Sequence, residues 1–148
     1  MMKRILTLTF LALFIVGFHV NAQTEAQLVE LCIGTTGDAT YLKDFVVKLP
    51  GRAPGGEKDP EFKSSMVLSK DTEYKFTICN ADESEGRGVL KLYDNNLLLG
   101  TTYNAATGKE FPGFVFKCQK TGVYHLFVSF QEGKEGYAVA ILSFVKKL

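Results

Sequence analysis

Two histidines, three cysteines and a few clustered carboxylates are the side chains that could give this chain chemistry. His19 falls in an apolar N-terminal run, which leaves His125 as the histidine of the remainder. It stands in an alternating segment, in step with Phe127 and Ser129. A Ser-His-Asp site needs its nucleophile on an exposed, constrained turn and a carboxylate to orient the histidine. The chain has no G-x-S-x-G, so His125 is expected on a sheet face and no catalytic residue is assigned. Asp82, Glu83 and Glu85 form an acidic cluster in a glycine-bearing turn. Two carboxylates about 5–9 Å apart across a cleft can hydrolyse glycosides. In an open turn they are solvated, with nothing to tune them into an acid–base pair.

Asp94-Asn95-Asn96 offers hard oxygen atoms of the kind calcium prefers, with Asp94 and Asn96 as the candidate ligands. Leu97-Leu98-Leu99 interrupt the EF-hand spacing, and a hairpin turn explains the same residues because Asn and Asp tolerate positive φ. No metal or other cofactor is otherwise expected. Cys32, Cys79 and Cys118 contain no C-x-x-C, so zinc is disfavoured. Three is odd, and at least one thiol is left over or pairs between chains; the pairing stays open. Cys118 is in step with Phe114 and Phe116 and reads as a buried thiol, whereas Cys79 is in step with Lys75 and Thr77 on the other face of its strand.

Aromatic side chains supply the remaining candidates. Tyr41, Tyr93, Tyr103, Phe127 and Tyr137 fall on faces or loop edges that a core does not obviously claim. Such rings stack on sugars or anchor a protein partner. Tyr93, Tyr103, Phe127 and Tyr137 are therefore the expected ligand-binding residues. The chain has no Trp, which weighs against a sugar platform, and both faces of a sheet could use aromatics simply for packing.

The elements that would position these residues begin after an export signal. Lys3 and Arg4 precede an apolar run from Ile5 to Val16, and Val20-Asn21-Ala22 suits a signal peptidase cutting before Gln23. The run is shorter than the ~20 apolar residues a spanning helix needs. Cys32 stands too far along to be a lipidated N-terminus. Residues 1–22 are thus read as a cleaved signal peptide and 23–148 as one domain, exported to the periplasm or beyond, with outer-membrane association as a further option. Without Lys3 and Arg4 that domain has 15 basic and 16 acidic side chains, a net of −1. Nucleic-acid binders show clustered basic faces, so none is expected here.

Short alternating runs dominate residues 23–148. Gln27 to Ile33 is expected as a first strand, with a helical turn over Thr24 to Leu31 as the alternative. Tyr41 to Leu49 follows, then a loop from Pro50 to Pro60 rich in proline and glycine. Phe62 to Leu68, Glu73 to Asn80, Val89 to Tyr93 and Leu97 to Tyr103 come next, and Asn104 to Lys109 is read as a loop. Phe114 to Cys118 leads into the clearest strand, where Tyr124, Leu126, Val128 and Phe130 alternate with His125, Phe127 and Ser129. Tyr137 to Val145 closes the chain, apolar on both faces as a central strand would be. Eight or nine short strands separated by turns predict an all-β protein, a single antiparallel jelly-roll-like β-sandwich.

Residues 68–145 also carry a family pattern. Val89-Leu90-Lys91-Leu92-Tyr93-Asp94, Thr121-Gly122-Val123-Tyr124-His125-Leu126 and Gly136-Tyr137-Ala138-Val139 occur in order, after Tyr74-Lys75-Phe76-Thr77-Ile78 and around Phe114-Val115-Phe116. This stretch resembles the bacterial pre-peptidase C-terminal type of β-sandwich and, more distantly, Golgi-dynamics-type sandwiches. The resemblance implies a non-catalytic appendage of a secreted enzyme or a small unit that binds protein or carbohydrate. The family's modules are attached to peptidases, whereas this one is expected to stand alone, which puts an appendage role in doubt. The expected function is an exported, non-catalytic binding module with a protein or cell-envelope partner, the alternative being a carbohydrate-binding module or an accessory domain of a hydrolase system.

Overall fold

The structure, a computed structural model, describes residues 23–148. The expected signal peptide, residues 1–22, lies outside them. One helix, α1 (Glu25–Gly34), precedes ten strands: β1 (Thr40–Leu49), β2 (Glu61–Leu68), β3 (Thr72–Asn80), β4 (Gly88–Asp94), β5 (Leu97–Thr101), β6 (Tyr103–Asn104), β7 (Lys109–Glu110), β8 (Gly113–Cys118), β9 (Gly122–Phe130) and β10 (Gly136–Lys147).

Eight of the strands form two four-stranded antiparallel sheets, ordered β1-β10-β3-β8 and β2-β9-β4-β5. Successive long strands switch between the sheets in the interleaved order of a jelly roll, and the sheets pack face to face. The loop expected at Asn104–Lys109 holds the two-residue ribbon β6–β7, closed by Gly108 at φ 71°. The Asp94-Asn95-Asn96 hairpin turns as expected, with Asn95 at φ 51°.

Period-two burial builds the core. On β9, Tyr124, Leu126, Val128 and Phe130 face inward, and the side chains between them are more exposed. They meet Leu90 and Leu92 of β4 and, from the opposite sheet, Phe45, Val47, Tyr74, Phe76, Ile78, Ala138, Ala140 and Leu142. Gly136 makes this packing possible at the start of β10: a Cβ there would lie 2.0 Å from the Phe130 ring. Cys118 is a free, buried thiol on the inner face, where its alternation put it.

The segment expected as a first strand is instead α1, and the reason is local. Thr24 Oγ1 accepts a hydrogen bond from the Gln27 amide at 3.2 Å, while Gln27 Oε1 accepts from the Thr24 amide at 2.9 Å. This capping box satisfies two otherwise orphaned donors and starts a helix. Leu28 and Cys32, one turn apart, are both fully buried against Val139 and Ile141 on the outer face of β10. Burying a leucine fully stabilises by about 1.5–3 kcal/mol. A disulfide from Cys32 to Cys79, with Cα atoms 5.6 Å apart, clamps the helix to β3. The outer face of β3 is therefore not the exposed side that alternation with Lys75 implied: Thr77 beneath the clamp is buried.

Candidate functional site

Among the described residues, a helix caps one sheet on its outside and nothing caps the other. Helix α1 and the disulfide cover β10 and β3, whereas on the outside of β2-β9-β4-β5 Val67 is 69% exposed and Val123 is 53% exposed. Antiparallel sheets ordinarily solvate one face with polar side chains. Two neighbouring valines and two aromatic rings on this face depart from that pattern.

Register fixes what lies beside what. Phe127 of β9 pairs with Lys63 of β2 on one side and Lys91 of β4 on the other, and His125 likewise lies between Ser65 and Tyr93. All six are on alternate, outward positions. The Tyr93 and Phe127 rings pack edge to face, 5.3 Å between centroids with planes 76° apart. Lys63 Nζ stands 5.3 Å from the Phe127 centroid, within cation–π range. His125 Nδ1 and Ser65 Oγ are 2.8 Å apart. Ser65 is in mid-strand on an open face, not on the strained turn from which a serine attacks. The pair thus holds the imidazole in place between Phe127 and the Val67–Val123 patch.

Beside the rings, Glu61, Asn95 and Asn96 join Tyr93 and Phe127 around a recess of about 250 Å³. An aromatic wall with two amides and a carboxylate at its rim can take a ligand that has an apolar face and hydroxyl or amide edges. The β4–β5 turn brings Asn95 and Asn96 there; alternation alone gave no sign that a turn would lean over this face.

The four expected ligand-binding aromatics do not form one surface. Tyr93 and Phe127 are together. Tyr103 lies apart on the β6–β7 ribbon, opposite Glu110. Tyr137 lies on the outside of the other sheet, with the α1 cluster and only 9% exposed. The calcium candidates also separate. Asp94 is ion-paired with Lys120 at 3.0 Å, while Asn96 lines the recess. Among the described residues, no group of three or more His, Cys, Asp or Glu side chains could hold a metal ion, and no helix is long and apolar enough to cross a membrane. The acidic Glu83 and Glu85 stand apart from the recess, around Tyr137.

No protein-family model matches the chain, and comparison with the curated proteins returns no match. What the geometry defines is a class: an all-β jelly-roll sandwich with one face covered over its central strands by a disulfide-clamped helix and one face that no described residue covers.

Proposed function

We propose that the chain is an exported, non-catalytic binding module that meets its partner with the outer face of β2-β9-β4-β5. The observation that carries this reading is the contrast between the two outer faces. One is covered by α1 over β10 and β3, with Val115 of β8 left 51% exposed at its edge, and the other presents Tyr93, Phe127, Val67 and Val123 with Lys63 and Lys91 alongside. Aromatic anchors beside apolar neighbours and flanking charges are the composition of protein-recognition patches. The partner is a protein or a cell-envelope component.

Export is supported by the arrangement of Lys3, Arg4, the apolar run and Val20-Asn21-Ala22. The Cys32–Cys79 bridge agrees with it, since such bonds persist in oxidising compartments such as the periplasm or the exterior. The likeness of residues 68–145 to pre-peptidase C-terminal sandwiches points the same way, toward a secreted binding or accessory unit.

A second reading is favoured by the recess itself: Tyr93 and Phe127 with Asn95, Asn96 and Glu61 would suit a sugar ring, stacked on one side and hydrogen-bonded at its edge. The test is a pull-down from the source cell envelope in parallel with a glycan array. Wild type is compared with Val67→Glu/Val123→Glu and with Phe127→Ala. Capture of one defined component that both variants lose supports the protein reading, and glycan binding lost on Phe127→Ala supports the second. Binding that survives in every variant removes this face from the function.

A further inference from the structure

Away from the recess, a cleft of about 720 Å³ opens between the end of β1, the Glu83–Glu85 loop and the start of β10. Lys48, Leu49, Glu83, Glu85, Glu135 and Tyr137 line it, with Gln23 at its rim. The loop is tied to the cleft floor from both sides. Ser84 Oγ accepts from the Tyr137 amide at 2.9 Å, and the Gly86 amide donates to the Glu135 carbonyl at 2.7 Å.

Tyr137 is 9% exposed, and its hydroxyl is buried without a hydrogen-bond partner. Folded proteins leave few such groups unpaired, and each that remains asks for an explanation. Burial, then the nearby Glu25 and Glu83 carboxylates, raise the phenol above its ordinary pKa. The hydroxyl therefore keeps its proton, and its oxygen accepts no hydrogen bond; it is closed off from solvent, so a donor reaches it only by displacing the side chains around it.

The cleft's other groups fix the sign of what would fill it. Lys48 Nζ sits 4.4 Å over the Tyr137 ring and 3.9 Å from Glu25, so one ammonium is already held on this aromatic face. Glu83, Glu85 and Glu135 form no ion pair among the described residues. Three carboxylates outnumber Lys48 and the neighbouring Lys134, whose charge reaches Glu85, and leave the cleft with a negative excess. An ammonium brings three donors and no acceptor. It matches a free phenolic oxygen flanked by carboxylates, and Leu49 and Pro50 offer apolar surface to the carbon stem behind it.

We propose that this cleft binds an alkylammonium group, carried by a free polyamine or by a lysine side chain. The site is separate from the bare sheet face and stands or falls independently of the function assigned to that face. Lys48 is the internal competitor: an entering ammonium meets its charge, and removing that charge strengthens binding.

The test is an NMR titration of the purified protein with cadaverine, with Nα-acetyl-lysine amide and with 1-pentanol as the neutral control. Both amines at millimolar concentration are expected to shift the amides of Ser84, Glu135 and Tyr137, and pentanol is not. Tyr137→Phe keeps the ring and removes only the hydroxyl; it is expected to weaken amine binding about tenfold. Should that variant fail to fold, Glu83→Gln/Glu135→Gln changes only exposed side chains and is expected to weaken binding at least as much. Lys48→Gln is expected to tighten it several-fold, an outcome a purely structural role would not produce. Tighter binding of the diamine identifies a polyamine site, and tighter binding of the amide a lysine site. No amide shift, an equal response to pentanol, or unchanged affinity in the Glu83/Glu135 variant overturns the proposal.

Discussion

Tyr93 on β4 and Phe127 on β9 meet edge to face across neighbouring strands, 5.3 Å between ring centroids, on the sheet face that no described element covers. Each ring holds the other's orientation, and Lys63 lies over Phe127 as well. Two aromatics fixed in this way lose little conformational freedom on binding, which is what makes rigid rings good anchors.

Truncating either ring tests that arrangement. Edge-to-face pairs contribute about 0.5–1.5 kcal/mol beyond the area they bury. A double-mutant cycle of Tyr93→Ala and Phe127→Ala, followed by urea unfolding, is expected to return a coupling energy in that range. Either single variant should lower affinity for the captured partner at least tenfold. A coupling near zero would mean that the rings are neighbours without being mutual supports.

The disulfide makes a larger prediction. Cys32 and Cys79 are 47 residues apart, and closing a loop of that length lowers the unfolded chain's entropy by the equivalent of about 4 kcal/mol. Cys32→Ala/Cys79→Ala is expected to lose roughly 2–4 kcal/mol of unfolding free energy, read from urea melts. Hydrogen exchange should speed up over Glu25–Gly34 before it does in β9, because only the helix is released directly.

Gly136→Ala is expected to be more damaging than an ordinary surface change. The added methyl would lie 2.0 Å from the Phe130 ring, in a contact with no free space. Overpacking a core in this way costs about 1–3 kcal/mol. The loss should shrink in a Gly136→Ala/Phe130→Leu background, which gives back the volume. Chemical denaturation of Gly136→Ala, Phe130→Leu and the double variant checks this.

Tyr124 links stability to alkaline pH. Burial, with the hydrogen bond to Cys118 next, pushes its phenol up to about 12 from the usual 10. Its hydroxyl also donates to the Lys120 carbonyl at 2.5 Å. A group whose folded pKa is raised favours the native state fully below its unfolded value and loses that contribution as pH climbs through the folded value. Unfolding free energy is therefore expected to fall between about pH 10 and 12, and Tyr124→Phe should flatten that part of the profile. Tyrosinate absorbance and urea melts at matched pH measure both.

The sequence was most legible where one face of a strand is greasy and the other is not. β9 shows its inward set, Tyr124 to Phe130, in simple alternation, and the apolar run of β10 announced a strand covered on both sides. Gln27 to Ile33 misled because five of its seven residues are apolar or cysteine, so periodicity could not separate a strand from a helix. The deciding signal was nearby: Thr24 and Gln27 at capping-box spacing, with Leu28 and Cys32 four residues apart. The disulfide followed from the same error. Once α1 lies over β3, the outward position of Cys79 is the one that faces Cys32, whereas on its own strand it looked like a solvent position. The pairing of Tyr93 with Phe127 depends on β4 lying beside β9, a non-local choice that alternation does not make, and the same is true of Tyr137's placement under the N-terminal helix.

The position of α1 also gives the molecule a direction. Because Gln23 enters on the sealed side, anything joined ahead of it, whether a tag, a bead or a neighbouring domain, attaches at the back. A protein tethered there turns its bare sheet outward, toward whatever passes, and a surface coated with it would display Tyr93 and Phe127 in one common orientation.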